Sequence, residues 1–167
     1  MSESRDILVN NGMEKLHIRR FMDKDAEATA RIFFDAIHLG TEEYYTEIQR
    51  YAWAPEPPEV QTWRNRLNSQ SSFVALSNDK PIGFMTLMAD GCIDLAYVAP
   101  PFMGQGVASK LYDAVLSEAA TSGMQRLYTE ASHPARAFFE RQGWAIVTPQ
   151  TISRNDVDLE NFLMEKI

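Results

Sequence analysis

The spacing of apolar residues divides the first part of the chain into one strand and three helical stretches. Residues 16–21 alternate apolar and basic side chains, and residues 23–39 carry apolar side chains at helical intervals. Two further helical stretches, 41–53 and 58–67, are separated by prolines, which a helix interior does not accommodate. We therefore predict a strand and an amphipathic helix, followed by a helical insert over residues 41–68.

The rest of the chain, after residue 68, is predicted to form a meander followed by alternating helices and strands. Residues 72–77, 82–88 and 92–98 are β-prone runs whose connections are too short for anything but antiparallel neighbours. Gly123 stands where a helix end favours a left-handed residue. Further elements are predicted at 104–121 (helix), 126–130 (strand), 132–142 (helix), 144–148 (strand) and 157–166 (strand). This order predicts an α+β fold with a mixed sheet.

Composition and net charge limit the kinds of protein that this chain can be. With 167 residues, 45% of them hydrophobic and 23% charged, the chain is expected to form one domain over residues 15–167 after a flexible polar leader, 1–14. A net charge of -7 without a basic patch argues against nucleic acid or membrane binding. Cys92 is the single cysteine, and no long apolar run is present. A cytoplasmic protein is therefore predicted.

The first segment that suggests a chemical function is residues 98–108, VAPPFMGQGVA. In this segment a strand end and a rigid turn lead into a helix whose start lacks bulky side chains. The first amides of a helix have no internal acceptors and lie at the positive end of its dipole. An anion is therefore expected at Gly104 to Ala108. Alternatively, the glycines only shape a turn. A dinucleotide loop is disfavoured, because Ser109 stands where a third glycine is needed.

The second segment is EASHPARAFFERQGW, residues 130–144, in which a short helix ends at a Gly-aromatic pair. Together the two segments resemble the GNAT acetyltransferase superfamily, whose motifs read V-x-P-x-[FY]-[RQ]-G-x-G-[IV]-[AG] and A-x-x-[FL]-[FY]-x-x-x-G-[FW]. In the first motif only Met103 departs from the pattern. The resemblance extends from residue 16 to residue 167 and is loosest over the insert 41–68.

The resemblance implies acetyl-coenzyme A as co-substrate and a mostly antiparallel central sheet flanked by helices. Strands 92–98 and 126–130 would be parallel and would splay apart, so that the pantetheine arm pairs with their backbones. A backbone N–H from Val98 would polarise the thioester, and Ser132 would bond the pantetheine as well as cap a helix. The implied cofactor-binding residues are Tyr97, Val98, Met103, Gly104, Gln105, Gly106, Val107, Ala108, Ser132 and Phe139.

Two departures from the family pattern affect the chemistry. Met103 replaces the usual Arg or Gln, which implies weaker cofactor binding. Phe139 stands where many members have a tyrosine thought to protonate the departing thiolate, and a phenyl ring donates no proton. Tyr97, Tyr112 and Tyr128 are the candidate substitutes.

The acceptor amine needs a base, because an alkylammonium has no lone pair for attack. Asp94 and Glu130 lie toward the expected splay, although each also fits a surface ion pair or a cap. With Tyr97 they form the candidate catalytic set. His133 is a weaker candidate because it precedes a proline at a helix start. Cys92 is also a weaker candidate, because a lone cysteine in a strand usually acts as a small buried hydrophobic residue. The histidines share no metal-ligand spacing, so no metal is predicted.

The predicted function is direct transfer of acetyl from acetyl-coenzyme A to a primary amine of a small molecule or peptide. The alternative function is that of a non-catalytic regulatory module that binds acyl-coenzyme A. The sequence does not decide whether the protein is a monomer or a homodimer. Five aromatic residues of the insert either line the acceptor pocket, where they would favour a small cationic amine, or belong to the core. They are Tyr44, Tyr45, Tyr51, Trp53 and Trp63.

Overall fold

The computed structural model describes residues 15–167, so the predicted leader 1–14 lies outside the described residues. Within this range the chain forms seven strands and five α-helices, with short 3-10 turns before α1 and after β4. The elements are β1 Leu16–Arg20, α1 Ala26–Gly40, α2 Glu47–Trp53, α3 Val60–Asn68, β2 Ser71–Ser77, β3 Lys80–Leu87, β4 Ile93–Val98, α4 Val107–Thr121, β5 Leu127–Ala131, α5 His133–Arg141, β6 Ala145–Arg154 and β7 Val157–Lys166.

The strands form two antiparallel sheets. One has the order β1-β2-β3-β4, and the other has the order β5-β7-β6. Helix α4 buries Val107, Leu111 and Val115 against one face of the first sheet. Helices α1 and α3 cover the other face, where Trp63 and Leu67 are buried. The α+β fold and the antiparallel meander are therefore confirmed, and no helix among residues 15–167 is long and apolar enough to cross a membrane.

Helix α4 ends as the sequence predicts. Gly123 has φ +70° and donates its N–H to the Ala120 carbonyl at 3.1 Å. Met124 donates to the Ala119 carbonyl at 3.0 Å. This pair of bonds satisfies two carbonyls that the helix end would leave free.

The insert contains less helix than predicted. Residues before Glu47 are not helical, because Thr46 caps α2 through a reciprocal pair of bonds with Gln49. The Thr46 hydroxyl accepts from the Gln49 N–H at 3.2 Å, and the Gln49 side chain accepts from the Thr46 N–H at 2.9 Å. Helix α3 begins only at Val60, because the Glu59 carboxylate accepts from two amides of its first turn.

Strand β6 is longer than the predicted 144–148 and pairs with β7 as far as Arg154. The hairpin closes through Asn155 and Asp156, both with positive φ, at 49° and 63°. Two-residue turns of this kind match the twist of antiparallel strands. Pro149 lies inside β6, where it is tolerated because β6 is the edge of its sheet.

Candidate active site

Strands β4 and β5 touch at one end and diverge toward the other. The Tyr128 N–H donates to the Gly91 carbonyl at 3.1 Å, and Cys92 and Tyr128 form a single parallel bridge. Gly91 allows this approach, because a Cβ there would lie 2.5 Å from the Arg126 carbonyl oxygen. β5 pairs with β7 along its whole length on its other edge, and among the described residues no ladder joins β5 to β4 beyond the bridge. The two strands therefore leave a gap that Val98 and Ser132 line.

The backbone of Val98 faces this gap. Ala99 donates its N–H to the Ile82 carbonyl at 2.7 Å, and Tyr97 lies opposite Phe84 in the β3–β4 pair. Outward and inward amides alternate along an antiparallel strand. The Val98 N–H therefore points away from β3, which is where the predicted thioester-polarising donor is needed.

The turn before α4 presents a run of free amides. Gly104 and Gly106 have φ +75° and +85°, so α4 begins at Val107 rather than at residue 104 as predicted. The first helical bond runs from the Lys110 N–H to the Gly106 carbonyl at 3.3 Å. Within residues 15–167, no acceptor pairs with the N–H groups of residues 104–109. These amides include those of Gln105, Val107 and Ala108, and they suit an anion.

Met103 differs from its glycine neighbours. Its N–H donates to the Pro100 carbonyl at 3.3 Å, so this amide is not free. Its side chain is 39% exposed and lies so close to α1 that a Cβ at Gly40 would be 2.5 Å from the Met103 Cε. Met103 thus adds apolar surface to the site but no hydrogen-bond donor.

A groove of about 440 Å³ runs along this turn. Tyr97, Val98 and Phe139 line it together with the glycines and Val107, Ala108 and Ser132. No Cβ position at Gly104 or Gly106 meets another atom within 4 Å, so both glycines border open space. Phe139 is 1% exposed and packs on Trp144 with ring centroids 4.6 Å apart, which places its ring in the groove wall.

A second cavity of about 450 Å³ adjoins the groove, and Trp53, Tyr97 and Ser132 border both. Of the five aromatic residues of the insert, Tyr45 and Trp53 line this second cavity. Trp63 is buried in the core, whereas Tyr44 and Tyr51 are about half exposed and do not border the cavity.

Both predicted carboxylates border the second cavity, but their surroundings differ. Asp94 forms an ion pair with Arg66 at 3.0 Å and accepts from the Gln70 amide at 2.7 Å. The Glu130 carboxylate has no hydrogen bond or ion pair within the described residues and is exposed. Glu130 is therefore the carboxylate that can accept a further proton donor.

The three candidate tyrosines differ in the surroundings of their hydroxyl groups. Burial raises the pKa of Tyr97 far above its ordinary value, so its hydroxyl stays protonated at neutral pH. The Tyr112 hydroxyl accepts from the Trp144 indole at 2.9 Å and is buried. A hydrogen bond to Asp90 raises the pKa of Tyr128 to about 12 and occupies its proton. Of the three, Tyr97 alone borders both cavities.

The weaker catalytic candidates, Cys92 and His133, and the predicted helix cap Ser132 each have different surroundings. Burial, with the nearby Asp94 carboxylate, raises the pKa of Cys92 to about 11, which leaves little thiolate at neutral pH. His133 lies 3.1 Å from a Glu160 carboxylate oxygen and stacks on Tyr44. Ser132 caps α5, as predicted, by accepting from the Ala135 N–H at 3.4 Å.

Sequence reasoning missed the cavity wall formed by β6 and β7. Ile152, Arg154, Leu159 and Asn161 line the second cavity, and no motif marks them. Their placement depends on the register of the hairpin, which the predicted strand boundaries did not include. Within residues 15–167 no group of three or more His, Cys, Asp or Glu side chains could hold a metal ion, and the metal-free site stays a prediction.

The splayed strands, the turn with free amides and the paired cavities define the class of protein as an acyltransferase. Residues 38–144 match the family described as "Acetyltransferase (GNAT) family". The chain is 28% identical over 152 residues to the uncharacterized N-acetyltransferase YafP of Escherichia coli (strain K12), covering 91% of this chain and 96% of that protein.

Solved structures agree with this match. A GCN5-related N-acetyltransferase from Rhodopseudomonas palustris is 33% identical with a TM-score of 0.85, covering 89% of this chain and 93% of that one. The PaiA N-acetyltransferase from Thermoplasma acidophilum, solved in complex with coenzyme A, shares the fold with a TM-score of 0.74 at 16% identity, covering 90% and 98%. The chain belongs to the GNAT family and is an N-acetyltransferase.

Proposed function

We propose that this protein transfers an acetyl group directly from acetyl-coenzyme A to a primary amine of a small molecule or peptide held in the second cavity. The observation that carries the proposal is the shared border of the two cavities at Trp53, Tyr97 and Ser132. A thioester at the end of the groove and an amine in the cavity would meet there without an acyl-enzyme. We call the second cavity the acceptor cavity below.

The groove fits coenzyme A. The amides of residues 104–109 have no acceptor among the described residues, and they lie at the positive end of the α4 dipole. The open space beside Gly104 and Gly106 lets a diphosphate approach the backbone. The T. acidophilum relative was solved with coenzyme A, which supports the same ligand for this fold. Bound acetyl-coenzyme A supplies the acetyl thioester.

Val98 is suited to bind the thioester oxygen. Its N–H faces the gap between β4 and β5, and its position at the end of β4 brings it beside Tyr97. A fixed donor of this kind stabilises negative charge as it develops on a carbonyl oxygen. Proximity of the two cavities adds the orientation of amine and carbonyl.

Glu130 is the proposed proton acceptor and Tyr97 the proposed hydrogen-bond donor. As the amine nitrogen bonds to the acetyl carbon and the carbon–sulfur bond breaks, Glu130 takes the amine proton, directly or through water. Tyr97, whose raised pKa keeps it protonated, donates a hydrogen bond to the departing sulfur, the task that Phe139 cannot perform, and the thiolate then takes up a proton from solvent. Because a thiol with a pKa of about 8.5 leaves readily, the donor assists the reaction rather than determining it.

Thermal unfolding and thiol release together test the proposal. Acetyl-coenzyme A at millimolar concentration should raise the melting temperature, because a ligand of the native state alone stabilises it. A panel of small amines and short peptides should then yield free thiol with at least one primary amine. Absence of any stabilisation would refute the groove assignment, and stabilisation without thiol release across the panel would refute the transfer.

A further inference from the structure

Arg141, the last residue of α5, lines the groove and is exposed to solvent. Among the residues from 15 to 167 that line the groove, Arg141 alone is charged, and no carboxylate lies in the wall. The whole chain carries a net charge of -7. The groove therefore presents a cationic side chain in an otherwise acidic protein, which favours the entry of an anion there.

The Arg141 guanidinium is free to bind that anion. Within residues 15–167 it forms no hydrogen bond, ion pair or ring contact. Arg136, on the same helix, instead pairs with the Glu140 carboxylate at 2.5 Å and lies over the Phe162 ring. A guanidinium presents its N–H groups in a planar fork that matches two oxygens of a phosphate. Arg141 thus has the chemistry of a phosphate ligand and no partner that competes for it.

Arg141 lies at the end of α5 that is remote from the acceptor cavity. The residues of α5 that line the groove recur every three to four positions, as Ala135, Phe138 and Arg141 do, so one face of the helix borders the groove. Ser132, just before α5, borders both cavities. With a rise of about 1.5 Å per residue, Arg141 lies roughly 13 Å along the helix from Ser132. A ligand whose thioester lies at Ser132 would extend toward Arg141.

Coenzyme A carries a third phosphate that the turn before α4 does not account for. Its diphosphate is proposed to bind the amides of residues 104–109. The remaining phosphate, on the 3′ position of the ribose, is a monoester and carries about -1.5 to -2 charges at neutral pH. Among the described residues of the groove wall, Arg141 is the side chain that can balance this charge.

We propose that Arg141 is a specificity-determining residue that binds the 3′-phosphate and makes the groove select coenzyme A over its 3′-dephospho form. The inference rests on the proposed function, because the groove must hold coenzyme A with its diphosphate at the turn before α4. Two N–H groups of the guanidinium bind the phosphate oxygens and hold the adenosine end of the ligand. Arg141 touches no reacting atom, so it contributes to binding of the co-substrate.

The test measures the Kd of coenzyme A and of 3′-dephospho-coenzyme A by calorimetry without an acceptor amine. The native protein should bind coenzyme A about 5- to 10-fold more tightly, a moderate ratio because water and salt screen an exposed charge. Arg141→Gln should bind both ligands equally, because only the affinity for coenzyme A falls. Arg141→Lys keeps the charge without the planar fork, and it should retain part of the preference.

Arg136→Gln is the matched control, since it removes one positive charge from the same helix. Arg136 does not line the groove, and its ion pair with Glu140 is partly exposed, so this variant should fold and keep the native preference. An equal loss of preference in Arg136→Gln and Arg141→Gln would mean that net charge, and not contact with Arg141, favours the 3′-phosphate.

Equal affinity of the native protein for the two ligands would overturn the inference whatever the variants do, and it would leave the proposed transfer standing. An equal loss of affinity for both ligands in Arg141→Gln would also overturn it, because the guanidinium would then contact the diphosphate. If the native protein binds neither ligand, the groove assignment fails and the inference fails with it. In the transfer assay Arg141→Gln should raise the KM for acetyl-coenzyme A about 5- to 10-fold, and a fall in kcat without this rise would contradict a role in binding.

Discussion

Gly106→Ala, compared with Gly123→Ala, tests whether the turn before α4 binds acetyl-coenzyme A. Both glycines have a left-handed backbone, with φ +85° and +70°, and neither Cβ position has another atom within 4 Å. Both substitutions therefore carry the same conformational cost, about 1–2 kcal/mol in the free energy of unfolding. Gly106 borders the groove, whereas Gly123 lies beyond the other end of α4.

The two variants should lose similar stability and differ in ligand response. A loss of about 1–2 kcal/mol lowers the melting temperature by about 2–8 °C in a domain of this size. A ligand at 100 times its Kd adds about 2.7 kcal/mol to the native protein and to Gly123→Ala. In Gly106→Ala the new methyl group and the strained turn weaken one amide–phosphate bond. A tenfold higher Kd would reduce the gain to about 1.4 kcal/mol.

The measurement is thermal unfolding of all three proteins with and without acetyl-coenzyme A, with the Kd checked by calorimetry. If Gly106→Ala and Gly123→Ala respond to the ligand as the native protein does, the amides of the turn do not hold it. If both lose the response equally, strain in α4 explains the effect and contact with the ligand does not.

Five further substitutions test the roles assigned to single side chains. Tyr97→Phe should lower kcat about 10- to 100-fold with little change in KM, and adding Phe139→Tyr should restore part of the loss; an unaffected kcat would exclude Tyr97 as the donor. Glu130→Gln should lower kcat/KM by about 10²- to 10⁴-fold. Asp94→Asn should mainly lower the free energy of unfolding, by less than about 1 kcal/mol, because its ion pair is partly exposed. A large loss of kcat/KM in Asp94→Asn and a small one in Glu130→Gln would make Asp94 the proton acceptor instead. Cys92→Ser should retain activity, and alkylation of Cys92 by iodoacetamide at pH 7.5 should be slow, because its pKa is raised to about 11; rapid alkylation would contradict its burial.

The groove could be predicted from the sequence because its chemistry is local. Gly104 and Gly106 lie two residues apart between a strand end and a helix, and both adopt the left-handed conformation that glycine favours. The free amides follow from the helix start itself, whatever the rest of the fold does. Gly123 is a second example, since the bonds at the end of α4 involve only its own last turn.

The acceptor cavity could be predicted only in part because its residues meet through tertiary structure. The sequence places Asp94 on a strand, but its pairing with Arg66 depends on how α3 packs beside β4. That contact spans 28 positions in the chain and leaves no local signal. Because α3 pairs with Asp94, Glu130 is the one of the two carboxylates that has no partner within residues 15–167.

Strand β6 shows most directly how register selects the residues of the acceptor cavity. The pairing with β7 shifts by one position between Ile146 and Thr148, so Val147 is an extra residue in the strand. Directly opposite residues share a face, so Ile152 follows Leu159 toward the cavity, and the two-residue turn at Asn155 and Asp156 sets this register. The bulge reverses the alternation only on its far side, at the start of β6. Val147 is 49% exposed and borders neither cavity, so the hairpin turn, and not the bulge, determines which side chains of β6 line the acceptor cavity.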